Sequence, residues 1–186
     1  LADAIRGNDA HRLSRVIGRC AAGALDAPRG SSDGVHVAPL HLAASEGHVD
    51  MVVILLQRGA SADDLDDAGR TPLIVALDHA RTECALALID ETRELDAACH
   101  VDGRAAVHVA ASRGLGACVR ALLHKGAAVH VADTDGYTPL HVACHAGEPL
   151  VAALLLAHGG GGGGGALERT DKTGCTPVLL AARAAY

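Results

Sequence analysis

Apolar residues return along this chain at three- and four-residue spacing, punctuated by glycine at regular intervals. Val52, Leu55 and Leu56 form one helical stripe, and Leu88 with Ile89, Leu122 with Leu123 and Leu155 with Leu156 repeat its end in register. Before each of these runs stands a shorter, alanine-rich stretch, as at Ala43-Ala44 and Ala110-Ala111. The pattern predicts pairs of helices, a short one and then a longer one, with no β structure beyond turn hairpins.

The same order of residues recurs five times. Ala38-Pro39-Leu40-His41, Thr71-Pro72-Leu73-Ile74, Ala105-Ala106-Val107-His108, Thr138-Pro139-Leu140-His141 and Thr176-Pro177-Val178-Leu179 align, their first residues 33, 34, 33 and 38 apart. Each position has a physical reason. Thr71 and Thr138 suit a helix N-cap, where the hydroxyl accepts from an orphan backbone N–H. Pro72 and Pro139 then occupy the first helical position, where no N–H is missed. Gly69, Gly103, Gly136 and Gly174 stand two residues before the cap, inside a turn that needs a permissive backbone. Gly47 and Gly114 are placed to end the short helix, and Gly59 and Gly126 the long one. Neither helix can bury its apolar face alone, so neighbouring repeats must stack.

This pattern resembles the ankyrin repeat, with its period of about 33 residues and its T-P-L-H-x-A hallmark. The resemblance covers nearly the whole chain and implies an all-α solenoid of stacked helix-turn-helix repeats with β-turn fingers. Residues 1–32 read as a degenerate repeat, 33–65, 66–99, 100–132 and 133–170 as full repeats, and 171–186 as a truncated one. In the first, Asp3 to Gly7 match the end of a short helix, and Leu13, Val16 and Ile17 a long helix one residue late. Ala21 to Asp33 form a longer connection. The apolar Ala181-Ala182-Arg183-Ala184-Ala185 is not the polar face of a terminal repeat, so further repeats are expected beyond it. Where Ala105-Ala106 replaces Thr-Pro, and where Ile74 and Ala80 replace the family's His and Gly, the two central repeats are expected to be locally softer.

Composition agrees with a thin stacked core. Among 186 residues there is no Phe or Trp and only two Tyr, yet 49% are apolar. Such a core can be filled by Ala, Val and Leu, whereas a single globule wants large aromatics. The net charge of −6 opposes general nucleic-acid binding, which needs a basic surface. Arg12, Arg15 and Arg19 read as a solvated helix face. Six scattered cysteines without a C-x-x-C point to reduced thiols, hence an intracellular protein, cytoplasmic or nuclear. No apolar run reaches the roughly 18 residues of a membrane span.

Metal, calcium and catalytic motifs each fail on the residues present. His141 and His145 share a helix face, but Val142 stands where a zinc protease carries its glutamate, and four ligands are wanting for a structural zinc site. The resemblance implies instead that His41, His108 and His141 are structural, hydrogen-bonding near the turns. Asp63 to Gly69 fails as a calcium loop because Ala68 and Val75 occupy ligand positions, and reads as a solvated acidic loop. No catalytic nucleophile motif, phosphate loop or dinucleotide fingerprint is present. No enzyme activity, metal or cofactor is therefore expected.

The resemblance implies a protein-interaction module, monomeric within a longer chain, that binds a partner protein through the concave face of fingers and first helices. Carried over repeat by repeat, the finger tips are Val35 and Val37, Ala68 and Arg70, Asp102 and Arg104, Asp135 and Tyr137, and Thr173 and Cys175. The first-helix positions are Ser45 and Glu46, Asp78 and His79, Ser112 and Arg113, and His145. The contact residues proposed from these are Arg70, Asp78, His79, Arg104, Ser112, Arg113, Tyr137 and His145. The alternative is a regulatory or targeting segment of a larger enzyme or channel. The seven glycines from Gly159 to Gly165 account for the 38-residue step and read as a tolerated insertion at a surface junction. Trimming that run to two glycines is expected to leave the melting temperature unchanged, because loop length costs little entropy. A large drop would show that the run is packed.

Overall fold

A computed structural model describes residues 2–7, 38–159 and 164–184. The described residues are helical, with no β-strand among them. They fall into two compact units, Leu1–Glu94 and Leu95–Tyr186.

The N-terminal unit contains α1 (Ala2–Arg6), α2 (Pro39–Glu46), α3 (Val49–Gln57), α4 (Pro72–Asp78) and α5 (Thr82–Glu91). The short helices α1, α2 and α4 pack in a row, and the long helices α3 and α5 pack beside them. Helix α1 covers Asp3 to Arg6 of the first, degenerate stretch, with Ile5 fully buried. Leu13, Val16, Ile17, the connection from Ala21 to Asp33, Arg12, Arg15, Arg19, Val35 and Val37 lie outside the described residues. The C-terminal unit contains α6 (Ala106–Ser112), α7 (Gly116–His124), α8 (Pro139–Ala146), α9 (Pro149–His158), α10 (Gly164–Glu168) and α11 (Pro177–Ala184). Here α6, α8 and α11 form the row of short helices, with α7 against α9. Gly164 and Gly165 open α10 instead of remaining loop, a difference from the sequence reading of the glycine run.

The long helices bury their stripe: Met51, Val52 and Leu55 on α3, Cys84, Ala85, Leu88 and Ile89 on α5, Cys118, Val119, Leu122 and Leu123 on α7. Burial pushes the thiols of Cys84 and Cys118 up to about 11, so both act as small apolar side chains.

Each short helix starts as its sequence dictates, with one exception. Thr71 accepts the Ile74 N–H at 3.3 Å, and Pro72 follows it. The Thr138 hydroxyl does not take that capping role. It lies 2.8 Å from Nδ1 of His141, to which the Thr138 N–H also points at 3.2 Å. The reason is the ring's other nitrogen. Nε2 faces the Cys175 carbonyl at 3.3 Å, a pure acceptor, so Nε2 carries the proton and Nδ1 is left as an acceptor. His108 is arranged alike, Nε2 donating to the Tyr137 carbonyl at 2.9 Å and Nδ1 accepting the Ala105 N–H at 3.2 Å. That bond serves the N-terminus where Ala105 supplies no hydroxyl cap. In the N-terminal unit His41 Nε2 donates to the Arg70 carbonyl at 2.9 Å. Ile74, at the same position, is buried and has no ring nitrogen to offer.

At the end of the short helices the backbone turns left-handed. Gly47, Gly114 and Gly147 do so at φ of 84°, 67° and 72°, and Ala80 is forced into the same region at φ 54°. A Cβ there costs about 1–2 kcal/mol. Replacing Ala80 by glycine is expected to stabilise the protein by about 0.5–1 kcal/mol, once the extra freedom of glycine in the unfolded chain is set against the relieved strain. Urea titration measures this, and a destabilised variant would contradict it.

Burial lowers the pKa of His41 and of His108, more than their carbonyl partners raise it. Below about pH 6.5 these rings take up protons more readily in the unfolded chain than in the folded one. Stability is therefore expected to fall as pH drops from about 7 towards 5. A His108→Gln variant, which cannot protonate, should show a shallower fall in urea midpoints across that range. An unchanged slope would refute the assignment.

Candidate protein-binding surface

Between a long helix and the next short helix the chain makes a finger, and an aspartate closes it. The Asp66 N–H donates to the Arg70 carbonyl at 2.9 Å, while Asp66 Oδ1 accepts the N–H groups of Ala68 and Arg70 at 2.9 and 2.8 Å. Asp133 repeats this with Tyr137 and Asp135, and Asp171 with Cys175 and Thr173. The finger from Cys99 to Arg104 is one residue longer, which accounts for the 34-residue step. It closes through the Cys99 N–H to the Arg104 carbonyl at 3.0 Å, and Asp102 Oδ1 braces it, accepting the Arg104 N–H at 3.1 Å.

Electrostatics follow from these contacts. Partial burial would raise the Asp66 pKa, but hydrogen bonds from the Arg70 backbone and side chain, and its charge, outweigh that and lower it. Asp171 is likewise lowered, burial opposing and the Thr173 hydroxyl and N–H prevailing with the Cys175 N–H. Both are held as carboxylates, the form that can accept two N–H bonds. The acidic run from Asp63 is thus not a merely solvated loop. Asp66 braces a turn, and Asp63 Oδ1 accepts the N–H groups of Arg93 and Glu94 at 3.0 and 3.3 Å. An aspartate three residues before the turn glycine, at 66, 133 and 171, is a regularity the sequence carries and which would have revealed the brace.

The fingers fix where the proposed contact residues stand. In the N-terminal unit Arg70 is half-buried, 2.8 Å from the Asp66 carboxylate and 4.0 Å from that of Asp78, so two of the proposed residues meet. Their neighbour His79 is exposed past the end of α4, its Nδ1 3.0 Å from the Val75 carbonyl. In the C-terminal unit the Arg104 guanidinium Nε lies 3.6 Å from the carboxylates of both Asp102 and Asp133. The Tyr137 ring tilts against that of His141, centroids 5.9 Å apart. Burial raises the Tyr137 pKa, with the charges of Asp171 and Asp135 adding to it, so the phenol stays a neutral donor. Arg104 and Tyr137 belong to neighbouring fingers joined by the Thr134 N–H and hydroxyl, both donating to the Asp102 carbonyl at 3.1 and 2.9 Å. On the first helices Ser112 is half-buried and turned back to the Val109 carbonyl, whereas Arg113 and His145 are exposed. Ser45 likewise bonds the Leu42 carbonyl, and Glu46 is exposed. Arg70, Asp78 and His79 stand in one unit and the other five proposed residues in the second.

Both nitrogens of His141 are occupied by the framework, as are those of His108. Among the described residues no helix is long and apolar enough to cross a membrane.

Known proteins carry the same pattern. Over 85 residues, 46% of this chain, the sequence is 40% identical to a protein of Oryza sativa subsp. japonica described as a probable E3 ubiquitin-protein ligase, of which the match spans 16%. It is 45% identical over 84 residues to the ankyrin repeat and SOCS box protein 16 of Homo sapiens, covering 45% of this chain and 18% of the relative. It is 36% identical over 106 residues to the B-cell lymphoma 3 protein homolog of Mus musculus, covering 55% and 24%. The chain therefore matches only a minor part of the length of these relatives. The family model for ankyrin repeats matches three times, over residues 4–99, 91–162 and 107–186. Together with the stacked helix pairs and the braced fingers, this places the chain in the ankyrin-repeat family.

Proposed function

We propose that this array binds a partner protein through its finger tips and first-helix surfaces, with no catalytic step of its own. The observation that carries the reading is the bracing of the fingers. Asp66, Asp133 and Asp171 fix the backbone from which Arg70, Tyr137 and Cys175 project. A surface already ordered before binding loses little conformational entropy on association. Arg and Tyr, the side chains offered there, are the types enriched at interface hot spots. The carboxylates beside them at Asp78, Asp102 and Asp135 make the surface mixed in charge, which suits a protein better than a nucleic acid. The six scattered cysteines, without a C-x-x-C, suit an intracellular setting.

A second reading is favoured by the small share of each relative that the chain covers, and by the ubiquitin-ligase and SOCS-box descriptions of two of them. In that reading the array recruits or targets a partner for a larger protein whose active domain lies elsewhere. Sequencing the complete reading frame distinguishes the two.

The contact residues separate by their structural load. Tyr137→Ala and His145→Ala are each expected to weaken partner binding by about tenfold with little change in melting temperature. Arg70→Ala should lower both affinity and melting temperature, since its guanidinium also closes a finger. Calorimetric titration against a partner isolated by pull-down, with thermal melts alongside, measures both. Unchanged affinity in the Tyr137 and His145 variants would move the binding surface elsewhere.

A further inference from the structure

Arg70 and Arg104 hold the same place in successive repeats, each just before the residue that opens a short helix. Their side chains are almost equally exposed, 36% and 38%. What they meet differs. Arg70 finds its acceptors within its own repeat. Its Nε and Nη2 both reach Asp66 Oδ2, at 2.9 and 2.8 Å, and its Nη1 faces Asp78 at 4.0 Å. The repeat of Arg104 has neither carboxylate. Cys99 opens the finger where Asp66 does, and Ser112 stands on α6 where Asp78 stands on α4, its hydroxyl turned back to the Val109 carbonyl. Asp102 and Asp133 approach Arg104 only at Nε, each at 3.6 Å, and Nε is buried without a hydrogen-bond acceptor. The two terminal nitrogens of Arg104 reach no acceptor among the described residues. The backbone beneath them is nevertheless fixed, its N–H on Asp102 Oδ1 at 3.1 Å and its carbonyl on the Cys99 N–H at 3.0 Å.

We propose that Arg104 receives a carboxylate of the partner protein, an aspartate or glutamate side chain that pairs with its terminal nitrogens as Asp66 and Asp78 pair with Arg70. This rests on the binding surface proposed above and names the partner's chemistry at one point of it. The protein itself shows what a guanidinium at this position takes, since the repeat before supplies carboxylates there. Geometry and charge select a carboxylate among anions. The planar fork matches the two oxygens of a carboxylate. A phosphate monoester carries up to about two negative charges, and Asp102 and Asp133 beside Nε oppose the second. Ser112, small and turned away, leaves the approach open from the side of α6, where Asp78 stands across from Arg70. A fork presented from a braced finger loses little freedom when the pair forms.

The probe is a library of random peptides displayed on phage and selected on the immobilised chain, with the enriched peptides then synthesised. An aspartate or glutamate is expected to recur at one position. Exchanging it for its amide should weaken binding about tenfold, as expected for one partly exposed charge-assisted pair. Arg104→Gln should weaken the acidic peptide by the same factor and make the amide exchange silent, the signature of a direct pair in a double-mutant cycle. Arg104→Lys, which keeps the charge without the fork, should recover little. Because Arg104 also stands beside Asp102 and Asp133, a second variant acts from a neighbouring position. Ser112→Asp restores the carboxylate that Arg70 meets, and should weaken the acidic peptide about tenfold without lowering the melting temperature. Enriched peptides with no preferred acidic position, or an amide exchange as costly in Arg104→Gln as in the parent, overturn the proposal. If those peptides still lose affinity in Tyr137→Ala, the binding surface stands and only the role of Arg104 falls. No enriched peptide, or peptides indifferent to Tyr137 and Arg104 alike, overturn both. Tighter binding with phosphoserine at the acidic position gives the site to phosphate and overturns the proposal as well.

Discussion

The hydrogen bond from a buried imidazole to the carbonyl of the following finger is the contact on which both units depend. It spans 29 residues from His41 to Arg70 and from His108 to Tyr137, and 34 from His141 to Cys175. The five extra residues at the last link are those of the glycine insertion, and the link survives them. A neutral ring with its proton on Nε2 satisfies a finger carbonyl on one side and, in His108 and His141, the N-terminus of its own helix on the other. Few side chains can do both, because the role needs a donor and an acceptor on opposite sides of one rigid plane.

The fingers inherit their order from that contact and from aspartates that accept two backbone N–H groups each. The consequence for binding is geometric. A turn of five residues on a solenoid would ordinarily sample many shapes. Here its ends are pinned, so Arg104 and Tyr137 leave neighbouring fingers from fixed points. Some of the proposed contact residues also serve the framework. Arg70 reaches Asp66 and Asp78, and the Arg104 guanidinium stands between Asp102 and Asp133. On the proposed surface, contact and framework roles therefore coincide at those two arginines and separate at His145.

Sequence alone determined the helical repeats, their register and the family. Period, Thr-Pro caps and turn glycines are local chemistry, legible wherever they recur. It also showed that Ala80 stood in a glycine's place. The aspartate braces were legible too, as a residue three before Gly69, Gly136 and Gly174, but of these only Asp133 and Asp171 are strongly buried, and composition made the run at Asp63 look solvated. The tertiary structure decided what no spacing could. It turned the Thr138 hydroxyl from its backbone cap to the His141 ring, because the ring's other nitrogen already faced a carbonyl from the next repeat. It drew Arg70 back onto Asp66 and Asp78. Those outcomes depend on groups distant in sequence that meet only when helices stack, and the identity of one residue does not contain the position of another.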